Sequence, residues 1–142
     1  MQRRILLSLF AAATLFGQQA AQKADEPKSK TLTRVEFDKL LASPASVLVI
    51  DVRRPDELTA KGGFPVYLSI QAANLEKSLA FIPKDRTIVT VSNHAARGLK
   101  AADLLAGHGF KVAGAIGVEN YEEQGGTLTK IAPPAPTATA KN

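Results

Sequence analysis

Three short apolar runs punctuate the chain. They are VLVID at 47–51, TIVTV at 87–91 and KVAGAI at 111–116. Each is too short for a buried helix and rich in β-branched or small residues. That suits strands covered on both faces, as in a parallel sheet. FPVYLSI, at 64–70, predicts a further strand between the first two. Between the runs the pattern changes to a helical period. LTRVEFDKLLA begins with Thr33 and Glu36 at capping-box spacing, and Leu32 and Phe37 stand where a hydrophobic staple would form, so a helix is expected over about 34–42, ended by Ser43-Pro44. Pro55 opens a second helix, with Asp56 and Glu57 in its first turn and Gly62-Gly63 as its stop. NLEKSLAFI predicts a third helix, with Asn74 as a candidate cap and Pro83 as terminator. A fourth covers about 96–106, where Leu99, Ala102 and Leu105 share a face before Gly107 and Gly109.

Strands alternating with helices define an α/β class: one domain over 32–130, with a mainly parallel sheet flanked by helices on both faces. Ligands collect at the carboxyl ends of the strands in such sheets. Two strand ends carry chemistry: Asp51 with Arg53, and the loop Ser92-Asn93-His94-Ala95-Ala96-Arg97.

The termini depart from the pattern. Arg3 and Arg4 precede an apolar stretch at 5–17, and small Ala20 and Ala21 follow. This is the layout of a secretory signal peptide over 1–21, and the stretch is too short for a comfortable membrane span. The mature chain is therefore expected in the periplasm or outside the cell, with no stable membrane span. Residues 22–31 form an expected flexible lead-in. Residues 131–142, rich in Pro, Ala and Thr, form an expected disordered tail.

Composition narrows the chemistry. The formal charge of +5 becomes +5 − 2 = +3 once Arg3 and Arg4 are removed. Acids are scattered among the remaining cations, with no basic stripe, so nucleic acid is not an expected partner. Cysteine is absent. That excludes disulfides, lipoprotein modification, thiolate chemistry and cysteine-ligated metals. With only His94 and His108 as histidines, no metal or other cofactor is expected. His108 falls at a helix end, where a dipole contact explains it.

Taken in order, IDVRRPDE, GGFPVYLSIQ and TIVTVSNHAARGLKAADLLAGHGFKVAGAIG resemble a rhodanese-like domain over about residues 32–128. The resemblance implies that Asp51 and Arg53 fill the family's early Asp-x-Arg motif. It implies that Ser92 to Arg97 is the six-residue loop that elsewhere begins with the catalytic cysteine and ends in arginine. Gly98 stands where the family has serine. Gly117 and Tyr121 stand where it has glycine and, four residues on, tryptophan, and Gly125 continues the spacing. The departure falls on the residue that carries the reaction. Sulfur transfer needs a low-pKa thiolate that becomes a persulfide, and serine forms none. The dual-specificity phosphatases that share the fold use a longer loop and also need the thiolate.

Three readings follow. In the first, an exported domain without sulfurtransferase activity binds a small anion (thiosulfate, sulfate or phosphate) or a protein partner through the loop 92–97. Backbone amides at a helix N-terminus can cradle an anion. Arg97 then either adds a charge-assisted bond or ties the loop to a carbonyl or an acid. Asp51 and Arg53 support the loop or form a strand-end salt bridge. If the cradle is intact, Ser92→Cys alone restores measurable sulfur transfer. The second reading is a hydrolase with Ser92 as nucleophile, although no third orienting group accompanies His94. The third is a purely structural or interaction module.

Overall fold

The computed structural model describes residues 26–135. Helix α1 spans Arg34–Leu41, strand β1 Val47–Asp51, helix α2 Pro55–Lys61 and strand β2 Leu68–Ser69. Two 3₁₀ segments, Ala72–Asn74 and Glu76–Phe81, lead to β3 at Thr87–Ser92. Helix α3 (Ala95–Gly107), β4 (Val112–Gly117) and α4 (Val118–Glu123) complete the domain. The strands lie in the order β2-β1-β3-β4, all parallel.

Strand parity turns the continuous apolar runs into two cores. Val47 and Val49 of β1, with Val89 and Val91 of β3, face a cluster containing Leu32, Phe37, Phe64, Ile116 and Val118. Ile50 and Ile88 face the opposite cluster with Leu75, Ile82, Ala101, Leu105 and Phe110. The same alternation sends Thr90 and Ser92 to the side of α3. There the Thr90 hydroxyl donates to Gly98 O at 2.7 Å.

The capping box of α1 forms as expected: Glu36 N–H donates to Thr33 Oγ1 at 3.3 Å, and Thr33 N–H donates to Glu36 Oε2 at 2.8 Å. Leu32 and Phe37, the staple pair, lie in one buried cluster. The strand expected over 64–70 shrinks to Leu68–Ser69. Its start is diverted, because Gly63 exchanges hydrogen bonds with Thr129 in an antiparallel bridge and Pro65 has no amide to give. The helix expected from Asn74 is a pair of 3₁₀ turns instead. The Asn74 side chain caps nothing there, and the Asn74 carbonyl accepts from Ser78 Oγ. Helix α4 follows Gly117 where no helical period is visible, since Val118 is its one buried residue.

The lead-in expected as flexible is fastened from Lys28 onward. The amides of Lys28 and Ser29 donate to the Asp103 carboxylate at 3.0 and 2.7 Å, and Thr31 bridges Ala115 of β4. At the other end, Ile131 and Pro134 line one surface hollow with Leu58 of α2 and with Tyr67, just before β2. The signal peptide expected over 1–21 lies outside the described residues, as does the tail beyond 135. Among the described residues no helix is long and apolar enough to cross a membrane.

Candidate functional site

Ser92 ends β3 opposite Gly117 of β4, and Asp51 ends β1 opposite Val91. The two strand ends singled out from sequence are therefore neighbours at the carboxyl edge of the sheet. Both are buried, with Ser92 0% and Asp51 1% exposed.

The Ser92 hydroxyl is used twice inside the protein. It donates to the carbonyl of His94 and accepts from the amide of Gly98 at 3.0 Å. Gly98 permits this approach: a Cβ there would stand 3.2 Å from Ser92 Oγ and 3.2 Å from Ala115 Cβ. The serine thus splices the loop to the first turn of α3. His94 caps α3 through its backbone position only. Its imidazole is 71% exposed and points to Glu119, with Nε2 3.1 Å from the carboxylate. Lys61 meets the same carboxylate at 3.0 Å. No base therefore holds the proton of Ser92.

Arg97 faces an acid. Its guanidinium donates to both oxygens of Glu57 at 2.9 and 2.6 Å, a two-pronged pair linking α3 to α2. Of the two roles open to Arg97 from sequence, this geometry is the tie to an acid. The Arg97 contact holds the Glu57 carboxyl down at about 2, and Glu57 in turn raises the Arg97 pKa. Glu57 also accepts from Asn93 Nδ2 at 3.0 Å and from its own helix-capping partner, Arg54 N–H, at 3.0 Å.

Asn93 then connects this pair to a second one. Its Oδ1 accepts from Arg53 Nη1 at 3.1 Å. Arg53 is 0% exposed and donates Nε and Nη2 to Asp51 at 3.0 and 2.8 Å, and Nη2 to Gly62 O at 2.9 Å. Asp51 and Arg53 form a buried strand-end ion pair that holds the stop of α2. Each arginine beside the loop is thereby matched by a carboxylate. The backbone of Ala95, Ala96 and Arg97 remains as the opening turn of a thirteen-residue helix, its amides without intrahelical acceptors.

Gly117 and Tyr121 frame the loop from β4 and α4. A Cβ at Gly117 would come within 2.8 Å of Asn93 O and 2.9 Å of Ala95 N. Tyr121 stacks edge-on to Phe37 and Phe64, with centroids 5.9 and 5.0 Å away, and donates its hydroxyl to Asp38 at 2.8 Å. Sequence reasoning missed Glu57 as a site residue. Its place at N3 of α2 was visible, but its link to Arg97 joins positions forty residues apart.

No family model matches this sequence, and no curated protein does. Solved structures do. A protein of unknown function from Rhodopseudomonas palustris, described as a possible tyrosine phosphatase, superimposes with TM-score 0.64 at 26% identity, covering 71% of this chain and 85% of that one. A rhodanese-related protein from Thermoplasma volcanium gives TM-score 0.62 at 19% identity, covering 72% and 99%. The thiosulfate sulfurtransferase of Pseudomonas aeruginosa gives 0.59 at 24% identity over 71% of this chain, which spans 20% of that protein. The domain has a rhodanese-like fold: a single α/β unit whose four-stranded parallel sheet is flanked by helices.

Proposed function

We propose that this chain is an exported binding module on the rhodanese fold, without sulfur-transfer chemistry. The observation that carries the proposal is Ser92. It occupies the strand end where the resemblance places a cysteine, and both hydrogen-bonding roles of its hydroxyl are spent on the loop backbone. A hydroxyl there accepts no sulfur, and a proton donated to a carbonyl is not poised for removal.

The same loop offers the amides of Ala95, Ala96 and Arg97 to a small oxyanion such as thiosulfate, sulfate or phosphate. Binding is weak, because Glu57 already neutralises Arg97. The sulfurtransferase among the structural neighbours makes thiosulfate the first anion to test. The chain is incubated with thiosulfate and analysed by intact-mass spectrometry and by amide NMR. The proposal expects no mass gain of a sulfur atom and fast-exchange shifts confined to residues 93–98. A covalent sulfur adduct, or a thiosulfate titration that leaves those amides unmoved, would overturn it.

A further inference from the structure

At the opposite end of the sheet from the loop, β1 lacks a neighbour along part of its outer edge. β1 pairs with β2 at two positions only, Ile50 with Leu68 and Asp51 with Ser69. On its inner side the same strand pairs with β3 along its whole length, from Val47 to Asp51. On that outer side, among the described residues, the N–H and C=O of Val47 and the N–H of Val49 therefore have no ladder partner, while Leu48 turns its backbone groups to β3. The backbone groups of such an edge bind another extended backbone readily.

The space beside this edge is a groove of about 180 Å³, lined by Leu41, Pro44, Leu48, Val66, Tyr67 and Arg86 among others. Its lining is largely apolar. Val66 is 77% exposed and Leu68 37%, so two aliphatic side chains are offered to solvent where β2 peels away. Arg86 stands at the Val47 end, one residue before Thr87, the register partner of Val47. Among the described residues Arg86 has no ion-pair partner. The other cations beside strand ends, Arg53 and Arg97, are matched by carboxylates within the chain.

We infer that this edge is a docking site for an extended peptide that carries a carboxylate. The peptide continues the sheet along Val47 to Val49 and covers Val66 and Leu68 with small or β-branched side chains. Its acid, a side chain or a C-terminus, meets Arg86. The unpaired edge demands extended backbone, the aliphatic lining demands apolar side chains, and the lone guanidinium demands a negative charge. The inference is independent of what the 92–97 loop binds.

The test uses the full chain and a fluorescein-labelled hexapeptide of alternating threonine and valine that ends in aspartate, followed by anisotropy. Saturable binding is expected, with NMR shifts at the amides of Val47 and Val49. Arg86→Glu, at a partly exposed position that should not disturb folding, weakens it at least tenfold. Replacing the terminal aspartate by asparagine amide weakens binding to the unchanged chain by a similar factor. Absence of saturation at about 1 mM peptide overturns the inference, and so does binding indifferent to Arg86→Glu. A concentration-dependent dimer in sedimentation that Arg86→Glu dissolves would assign the edge to a second copy of the chain and equally overturn it.

Discussion

Ser92 is part of the frame of its loop. Its oxygen is the acceptor for the Gly98 amide, which is buried against β3 and β4. Ser92→Ala removes that acceptor together with the hydroxyl's bond to the His94 carbonyl, leaving the Gly98 amide only its place in the first turn of α3, at a cost of about 0.5–1.5 kcal/mol in urea unfolding. A serine retained only by chance would show no such loss. The cysteine variant also looks different once Glu57 is known. Loop length alone suggests that Ser92→Cys is enough to restore sulfur transfer. A thiolate there is favoured by the N-terminus of α3 and by nearby positive charge, however, and Glu57 takes up that of Arg97. Ser92→Cys by itself should give little turnover of thiosulfate, and Ser92→Cys with Glu57→Gln clearly more. Equal rates for the two variants would show that the Glu57 contact is irrelevant to the loop's electrostatics. The six-residue spacing from Ser92 to Arg97 was legible in the sequence, as was Asp51-x-Arg53. The Asp51–Arg53 pair was anticipated, but the Glu57 partner of Arg97 and the Asn93 link to Arg53 were not, because both join positions forty residues apart.

Among the elements, parity made the sheet legible. Val47 and Val49 against Leu48 and Ile50 already assign two faces, and the two cores follow that division. What failed to show in sequence were elements set by distant contacts. β2 is cut short by the Gly63–Thr129 bridge, and α4 has no apolar stripe of its own. The joint between α2 and α3 gives a pH prediction. Glu57 ionises at about 2 in the folded chain, against an ordinary value of 4.5. A depressed carboxyl stabilises the fold above its unfolded pKa, and that contribution fades as pH falls toward its folded pKa. Urea unfolding of the wild type and Glu57→Gln should therefore differ fully above about pH 4.5 and converge as pH approaches 2. A difference that stays constant over that window would mean that the ion pair contributes nothing to stability.

For the whole molecule, the rhodanese-like architecture was readable from the order of runs and loops, while the ends of the domain were not. Lys28 and Ser29 are drawn in by Asp103, and Thr31 joins β4, because two backbone amides find a carboxylate on the surface of α3. Composition alone could not announce that contact. Export is the remaining molecular claim. Expression in a Gram-negative host followed by N-terminal sequencing should find a mature chain starting just after Ala20 or Ala21, in the periplasmic fraction. An intact Met1 in the cytosol would refute it. The most direct test of the whole account is a thiosulfate:cyanide sulfurtransferase assay on the wild-type chain. The account predicts thiocyanate formation at the rate of the protein-free blank, because the position that would hold the sulfur is Ser92. Thiocyanate formed in proportion to protein concentration would contradict it.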